Sequence, residues 1–183
     1  MKISVAKEKA TRLLNCGMVV LVSCAYKDKQ NVTTCAWHQP LSKAPAAVAV
    51  ALAKKHFSSE LIRKSEEFII NIPDWFLLDK VVQCGSLSGW DADKFKATGL
   101  TPAKPKKLIK SPVIKEGIGS VECSLIDLKE VGDHFLFLGE VIYAEADSDC
   151  FVNDIWDTTK VDLIFHLGAK FFFKSSPYSE FKR

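Results

Sequence analysis

Two long strand-like runs that flank a Gly-Asp pair constrain the fold of this chain more than any other feature. They read GSVECSLIDLKEV and HFLFLGEVIYAEAD, and they meet at Gly132–Asp133. A two-residue Gly-containing separator between strand-like runs is typical of a tight β-hairpin. The pattern therefore predicts a long antiparallel hairpin, and with it a fold rich in β-structure.

Shorter apolar runs of strand length precede and follow this hairpin. MVVLVSCA (Met18–Ala25) and VTTCAW (Val32–Trp37) are separated by the polar stretch KDKQN and predict a second hairpin. AAVAVALA (Ala46–Ala53) is apolar on both faces, which suits a strand buried on both sides, although its length alone does not exclude a helix. FIINI predicts another strand, and VDLIFHLGAKFFFK predicts two short strands around Gly168.

Short helical patterns lie between these runs. SELIRKSEE predicts a helix capped by Ser58, and DWFLLDKVVQCG predicts one that begins at Asp74 and stops at Gly85. The stretch from Asp91 to Gly99 repeats this pattern in a shorter form. The Pro- and Lys-rich stretch 100–112 predicts an extended surface connection.

The order of these elements selects the fold class. At least six strands are expected, with two or three short helices inserted between them and no regular strand–helix alternation, which argues against a doubly wound parallel sheet. The sequence predicts a mainly β fold, a closed or half-closed antiparallel barrel with helical insertions. The length of 183 residues suits one domain spanning 1–183.

Composition excludes several classes of protein. A net charge of +3 is too small for the basic stripe of a nucleic-acid-binding protein. The longest apolar runs are shorter than a membrane span, and the N-terminal MKISVAKEKATRLLN lacks the apolar core of a signal peptide. No two of the 6 cysteines form a Cys-x-x-Cys pair, so we expect reduced thiols and a cytoplasmic location, without membrane or nucleic-acid partners.

One basic, hydroxyl-rich cluster stands just before a predicted helix. Lys54, Lys55, His56, Ser58 and Ser59 occur together in AKKHFSSEL. A helix start offers unpaired N–H groups and a partial positive charge, so the cluster suits a phosphate. The alternative, a serine cap with solvated lysines, is about as common.

Three further stretches carry candidate functional groups. NVTTCAWHQPLSKAP leaves a strand and turns through two prolines, and it presents either backbone groups to a heterocycle or an ordinary edge. CGSLSGWDADKF has Gly85 and Gly89, which permit close approach of a ligand or simply connect two helices. For His166 and for the thiols, burial in the core is the favoured interpretation.

In this order and spacing, the motifs resemble the flavin reductase-like family of FMN-binding split barrels, and in particular its flavoredoxin branch. The motifs are MVVLVSC, NVTTCAWHQPLSKAP, KKHFSSELIRKSEEFIINIP, CGSLSGWDADKF, VECSLIDLKEVGDHFLFLGEVIYAEAD and FHLGAKFF. The likeness extends over nearly the whole chain. No Rossmann fingerprint, Walker loop or nucleophile elbow is present in the sequence.

The resemblance implies a Greek-key split barrel that works as a homodimer and binds FMN noncovalently near the subunit interface. It implies that residues 33–37 line the isoalloxazine, that the helix start meets the phosphate and ribityl chain, and that the glycine-serine loop completes the phosphate side. The implied cofactor-binding residues are Asn31, Thr33, Thr34, Cys35, Ala36, Trp37, Lys54, Lys55, His56, Phe57, Ser58, Cys84, Gly85, Ser86, Ser88, Gly89 and Lys94.

The resemblance leaves two functions open. One is an NAD(P)H:flavin oxidoreductase in which NADH or NADPH donates hydride to FMN, and the other is an FMN electron carrier reduced by a redox partner protein. A third hypothesis is a split barrel that binds another ligand or only mediates dimer contacts. Two residues depart from the family pattern: Lys55 stands where an arginine is expected, and Trp90 where a more polar residue is expected.

Overall fold

A computed structural model describes residues 2–14 and 17–177. Its strands are β1 Val20–Tyr26, β2 Lys29–Cys35, β3 His38–Lys43, β4 Ala46–Ala53, β5 Glu67–Ile72, β6 Pro102–Ala103, β7 Val113–Ile114, β8 Gly119–Val131, β9 His134–Ala146, β10 Phe151–Val152, β11 Ile155–Trp156, β12 Ile164–Gly168 and β13 Phe171–Lys174. Its α-helices are α1 Phe57–Ser65, α2 Leu78–Ser86 and α3 Lys94–Thr98, and 3₁₀ segments span Lys7–Leu13 and Trp75–Leu77.

The main sheet is antiparallel, with the strand order β2-β1-β5-β8-β9-β4-β3. The predicted long hairpin is confirmed, since Val131 of β8 pairs with His134 of β9 across the turn. Beyond β2 the sheet curls towards β4, where the Ala51 N–H donates to the Trp37 carbonyl at 2.8 Å. The result is the expected half-closed, mainly β split barrel with Greek-key strand order and helical insertions.

The barrel interior is filled by alternate residues of the strands together with one face of α1. Phe68, Phe137, Val22 and Ile62 are among its buried side chains. Gly139 is required here, because a Cβ at that position would lie 2.7 Å from Cζ of Phe68. The short helix α1 is thus held by packing rather than by its own length, which is marginal for a helix in water.

The opposite face of the first strands packs against the other helices. Val19 and Leu21, which alternate with the interior residues of β1, contact a second cluster that includes Val81 of α2 and Phe95 of α3. Both faces of this part of the sheet are therefore covered. This packing places the loop that follows α2 against β2.

Several predicted boundaries were wrong. β2 runs from Lys29 to Cys35 rather than over Val32–Trp37, and the expected two-proline turn contains the strand β3. β3 forms because its residues pair with β4, for example His38 with Val50, and such pairing between strands is weakly encoded in local sequence. The predicted strand Ala46–Ala53 is confirmed with the same bounds.

The predicted serine cap of the first helix was also wrong. The helix begins at Phe57 with His56 in the N-cap position, and no side chain caps it. The hydroxyl of Ser58 instead accepts a hydrogen bond from Asn31 Nδ2 at 2.9 Å, because burial against β2 offers it a tertiary partner. Asp74 does act as a cap, since it accepts a bond from the Phe76 N–H, but the segment that it caps is the 3₁₀ turn Trp75–Leu77. The helix α2 itself begins at Leu78, later than predicted, and runs one residue past Gly85.

The connection over residues 100–112 is extended, as expected, apart from the short pairing of β6 with β7. The missed elements include the small hairpin β10–β11. Within residues 2–14 and 17–177, no helix is long and apolar enough to cross a membrane. Cys16 and the last residues of the tail SSPYSEFKR lie outside the described residues.

Candidate functional site

A cleft of about 450 Å³ forms where three segments of the chain meet. β2 provides one wall, the connection from β4 into α1 provides the second, and the loop after α2 provides the third. Most of the predicted cofactor-binding residues line it: Asn31, Thr33, Thr34, Lys55, His56, Phe57, Gly85, Ser86, Ser88, Gly89 and Lys94. The structure thus brings together residues that are far apart in sequence, from Asn31 to Lys94.

A second cleft, of about 1030 Å³, adjoins the first and shares Thr34, Gly85 and Ser86 with it. The predicted residues Ala36 and Trp37 line this larger space. The two clefts adjoin along the end of β2, and they are called the small compartment and the wider compartment below.

The wider compartment contains groups that the sequence did not single out. The N-terminal 3₁₀ segment contributes Arg12, the exposed face of α2 contributes Val82, and the β12–β13 hairpin contributes Lys170 and Phe172. His166 also lines it, half-buried, with Nε2 3.0 Å from the Ala169 carbonyl, so the favoured core interpretation of this histidine was wrong. These contacts depend on long-range packing, which no local pattern signals.

Lys94 is the buried cation of the small compartment. Its exposed fraction is 4%, and its Nζ donates to the Cys84 carbonyl at 2.6 Å. Across the described ranges, no carboxylate forms an ion pair with it. Burial lowers the pKa of Lys94, and the nearby thiols of Cys84 and Cys24 oppose that shift in part. A buried ammonium with one hydrogen bond retains donors for an anion.

Lys55 and His56 lie at the rim of the same compartment. Partial burial lowers the pKa of His56, and the positive charges of Lys94, His134 and Lys55 lower it further. The neutral imidazole is therefore favoured at neutral pH, and a negative charge nearby would favour its protonation.

Asn31 connects the barrel to the loop after α2. Its Nδ2 donates to Ser58, while its buried Oδ1 has no hydrogen-bond partner in the described part of the chain. Gly89 packs directly on this amide, because a Cβ there would lie 2.6 Å from Oδ1. An unsatisfied buried polar atom beside a cleft is expected where a ligand completes the hydrogen bonding.

Four predicted residues lie outside the cleft lining. Lys54 forms an ion pair with Glu130, and Ser58 is fully buried behind Asn31. Cys35 and Cys84 are buried thiols, and burial raises the pKa of both, that of Cys35 to about 12. They remain protonated at neutral pH, as expected for small core residues rather than reactive thiols. Ser59 is also buried, and its hydroxyl donates to the Ala53 carbonyl at 2.8 Å.

Comparison with known protein families shows the family to which this chain is related. A family model described as "Flavin reductase like domain" matches residues 13–164. The chain belongs to the flavin reductase-like family. The matched range includes both walls contributed by β2 and α1, the loop after α2, and Lys94.

Similar proteins agree with this membership. An uncharacterised protein of Pyrococcus abyssi is 37% identical over 131 residues, which cover 72% of this chain and 74% of that protein.

Solved structures with the same fold include the flavoredoxin of Desulfovibrio vulgaris (Miyazaki F), at a TM-score of 0.84 and 27% identity, covering 98% of this chain and 96% of that one. They also include the FMN-binding domain of a flavin reductase-like enzyme from Shewanella baltica OS155. Its TM-score is 0.82 and its identity 27%, covering 98% of this chain and 97% of that one. The expected family and split-barrel fold are therefore confirmed.

Proposed function

We propose that this chain is an FMN-binding oxidoreductase of the NAD(P)H:flavin reductase type, with the cofactor bound noncovalently. The observation that carries the proposal is the small compartment, where buried Lys94 lacks an acidic partner among the described residues and faces a cleft that also exposes Lys55 and His56. A buried cation of this kind is expected to bind an anionic ligand group, and charge-assisted bonds to phosphate are strong.

The residues present fit FMN at the phosphate end. No side chain caps α1, and the Ser59 N–H donates to the His56 carbonyl at 3.0 Å, so in this proposal the N–H groups of Phe57 and Ser58 at the helix start are the ones that bind an anion beside Lys55 and His56. The unsatisfied Asn31 Oδ1 is an acceptor suited to a ribityl hydroxyl donor. Ser86 and Ser88 supply hydroxyl groups from the opposite wall.

The wider compartment fits a flat heterocycle. Thr34, Ala36 and Trp37 follow one another along its wall, so small side chains and backbone groups of residues 33–37 are positioned to contact a ring. Val82 and Phe172 offer apolar contact from the other side. The compartment is large enough in volume to admit a second molecule beside the ring.

When bound, FMN supplies the redox chemistry, so a catalytic acid or base of the protein is not required. The chain's own residues bind and orient. Lys94 and Lys55 hold the phosphate, the 33–37 segment positions the ring, and the N-terminal 3₁₀ segment with the β12–β13 hairpin limits access of water. In this proposal the wider compartment would hold NADH or NADPH, which would supply the hydride for the reduction of FMN.

A second candidate is an FMN electron carrier that a redox partner protein reduces. The observation that favours it is the similarity to a protein named flavoredoxin over 98% of this chain. The same cleft serves both functions, so the nature of the electron donor separates them.

The test is a visible spectrum of the purified protein, recorded without oxygen before and after addition of NADH and NADPH. Flavin absorption that bleaches with either nucleotide supports the reductase. Absorption that persists with both nucleotides supports the electron carrier. Absence of flavin absorption, even after incubation with FMN, would contradict both functions and favour a split barrel with another ligand.

We further propose that residues 1–183 act as one domain and that the protein is a homodimer. Exposed apolar side chains on β3, β8 and β9 support the homodimer, namely Leu41, Ile126, Val131 and Ile142. Light scattering after size-exclusion chromatography measures the mass in solution. A monomer that retains full FMN binding would contradict a cofactor site at a subunit interface.

A further inference from the structure

Trp90 lines the small compartment beside the helix start at which a phosphate is proposed to bind. Its indole Nε1 donates to the Lys55 carbonyl at 3.0 Å, so it links the loop after α2 to the connection before α1. Its ring packs on Phe57, with ring centroids 4.7 Å apart. Its backbone N–H donates to the Ser88 hydroxyl at 3.2 Å, which fixes the turn that carries it.

A separate depression of about 360 Å³ lies on the far side of this ring. Phe57, Gly89 and Trp90 border both spaces, so the two aromatic rings form a partition between them.

The charges on the two sides of the partition are opposite. The small compartment is lined by Lys55, His56 and Lys94 and by no carboxylate of the described residues. The outer depression is lined by Asp28, Asp91, Asp93 and Lys29, and Asp93 also forms an ion pair with Lys96 at 3.4 Å, so the carboxylates there still outnumber the cations. A phosphate is stabilised on the inner side and repelled on the outer side.

We propose that this partition makes the chain select FMN over FAD. The inference rests on the proposed FMN binding and adds the specificity of the site. FMN ends in a phosphate monoester, which the inner cations can hold in full. FAD continues into a second phosphate and an adenosine, which must displace Trp90 from Lys55 and Phe57 and then pass the aspartates. The end of the cleft that Phe57 and Trp90 border therefore favours a terminal phosphate.

The experiment is isothermal titration of the flavin-free protein with FMN, FAD and riboflavin. The wild-type protein is expected to bind FMN about a hundredfold more tightly than FAD. Trp90→Ala removes the partition and is expected to reduce this ratio by about tenfold or more, chiefly through tighter FAD binding. Trp90→Phe keeps a ring against Phe57 but loses the bond to Lys55, so an intermediate ratio is expected.

The charge contribution is tested separately. Asp28→Asn with Asp91→Asn leaves the partition in place and is expected to strengthen FAD binding by a few-fold, with FMN affinity unchanged. Phe76→Ala removes an aromatic ring that is 93% exposed and lines neither space, so it is the matched control for both ligands.

Each outcome separates this inference from the proposed function. FAD binding as tight as FMN in the wild-type protein would overturn the selection while leaving the flavin site intact. FAD binding that is tighter than FMN and weakened by Trp90→Ala would overturn it as well, since Trp90 would then stack on adenine. If the ratio of FMN to FAD affinity were unchanged in both folded Trp90 variants, Trp90 would have no part in the selection. If none of the three flavins binds, the proposed function itself fails.

Discussion

Two segments of this protein lie over buried charged side chains, and the two sites differ in how many hydrogen bonds the chain makes to the buried charge. The loop at residues 86–90 borders Lys94, whose ammonium has one described hydrogen bond, to the Cys84 carbonyl. The connection over residues 106–111 lies over Glu122 and Glu67, which are 0% and 8% exposed.

Both carboxylate oxygens of Glu122 and the Oε1 atom of Glu67 accept hydrogen bonds from the backbone above them. Glu122 accepts from the N–H groups of Lys106, Lys107 and Leu108 at 2.6 to 2.8 Å. Glu67 accepts from those of Lys110 and Ser111 at 2.6 and 2.7 Å. The buried carboxylates thus satisfy backbone N–H groups of residues 106–111 that would otherwise need water. These charge-assisted bonds hold the connection against the barrel.

This difference in hydrogen bonding distinguishes a buried charge that stabilises the fold from one that can bind a ligand. A buried charge whose hydrogen bonds are all made within the chain stabilises the fold and leaves nothing to offer a ligand. Lys94 instead borders a cleft, and Asn31, whose Oδ1 has no partner among the described residues, lines the same cleft. Removal of each charge should therefore change a different property, stability in one case and ligand binding in the other.

The largest effect is expected from Glu122→Ala. This change strands three backbone N–H groups and should lower the free energy of unfolding by about 3 kcal/mol. Urea unfolding measures the change, and FMN affinity of the folded variant should be unaffected. Glu145→Ala, an exposed carboxylate on β9, is the control, with an expected change within about 0.5 kcal/mol. A decrease in the free energy of unfolding of less than about 1 kcal/mol for Glu122→Ala would contradict the structural role of this charge.

Lys94→Met should give the opposite pattern. FMN binding is expected to weaken by about thirtyfold, because a charge-assisted bond is worth roughly 2 kcal/mol. The stability of the flavin-free protein should change by less than about 1 kcal/mol, since removal of an unpaired buried charge offsets its lost bond. Calorimetric titration and urea unfolding measure the two quantities.

The control for this variant is Lys96→Met on the same helix, whose side chain is 87% exposed. It should alter neither quantity. A Lys94→Met protein that is strongly destabilised yet binds FMN normally would show that Lys94 is a structural charge like Glu122.

A smaller loss is expected from the double variant Lys55→Ala with Ser58→Ala, which should weaken FMN binding by at least about tenfold. Lys55 borders the cleft directly, whereas Ser58 acts from behind by holding the Asn31 amide. Lys54→Ala is the matched control, because Lys54 forms an ion pair with Glu130 and does not line the cleft. Unchanged affinity in the folded double variant would exclude this assignment of the phosphate site.

The smallest effect concerns pH. The pKa of His56 is lowered in the flavin-free protein, and a bound phosphate should raise it. FMN binding then takes up a proton at His56, so this residue contributes affinity that increases as the pH falls through its titration range. The second phosphate ionisation near pH 6 acts in the opposite direction, so wild type is compared with His56→Gln.

The measurement is the ratio of the two dissociation constants at several pH values. The disadvantage of His56→Gln should be a few-fold larger near pH 5.5 than near pH 8. A ratio that does not change with pH would show that His56 stays neutral when flavin binds.

Local sequence was sufficient for the elements that local pairing or periodicity determines. The β8–β9 hairpin follows from two strand-like runs around Gly132–Asp133, and β4 from an apolar run with clear bounds. Order and spacing of the motifs also led to the family and fold. The hairpin depends on contacts between near neighbours in sequence, and β4 is marked by its run of apolar side chains, so a local pattern records both directly.

Tertiary structure alone decided which residues of each motif face the cleft. Lys54 and Lys55 are adjacent in sequence, yet only Lys55 lines the cleft. Ser58 has the sequence context of a helix cap and is a buried partner of Asn31 instead. Lys94 has the composition of a surface residue and becomes the buried cation of the site. Burial and hydrogen bonding depend on groups far apart in the chain, so their energies are fixed only when the fold brings those groups together.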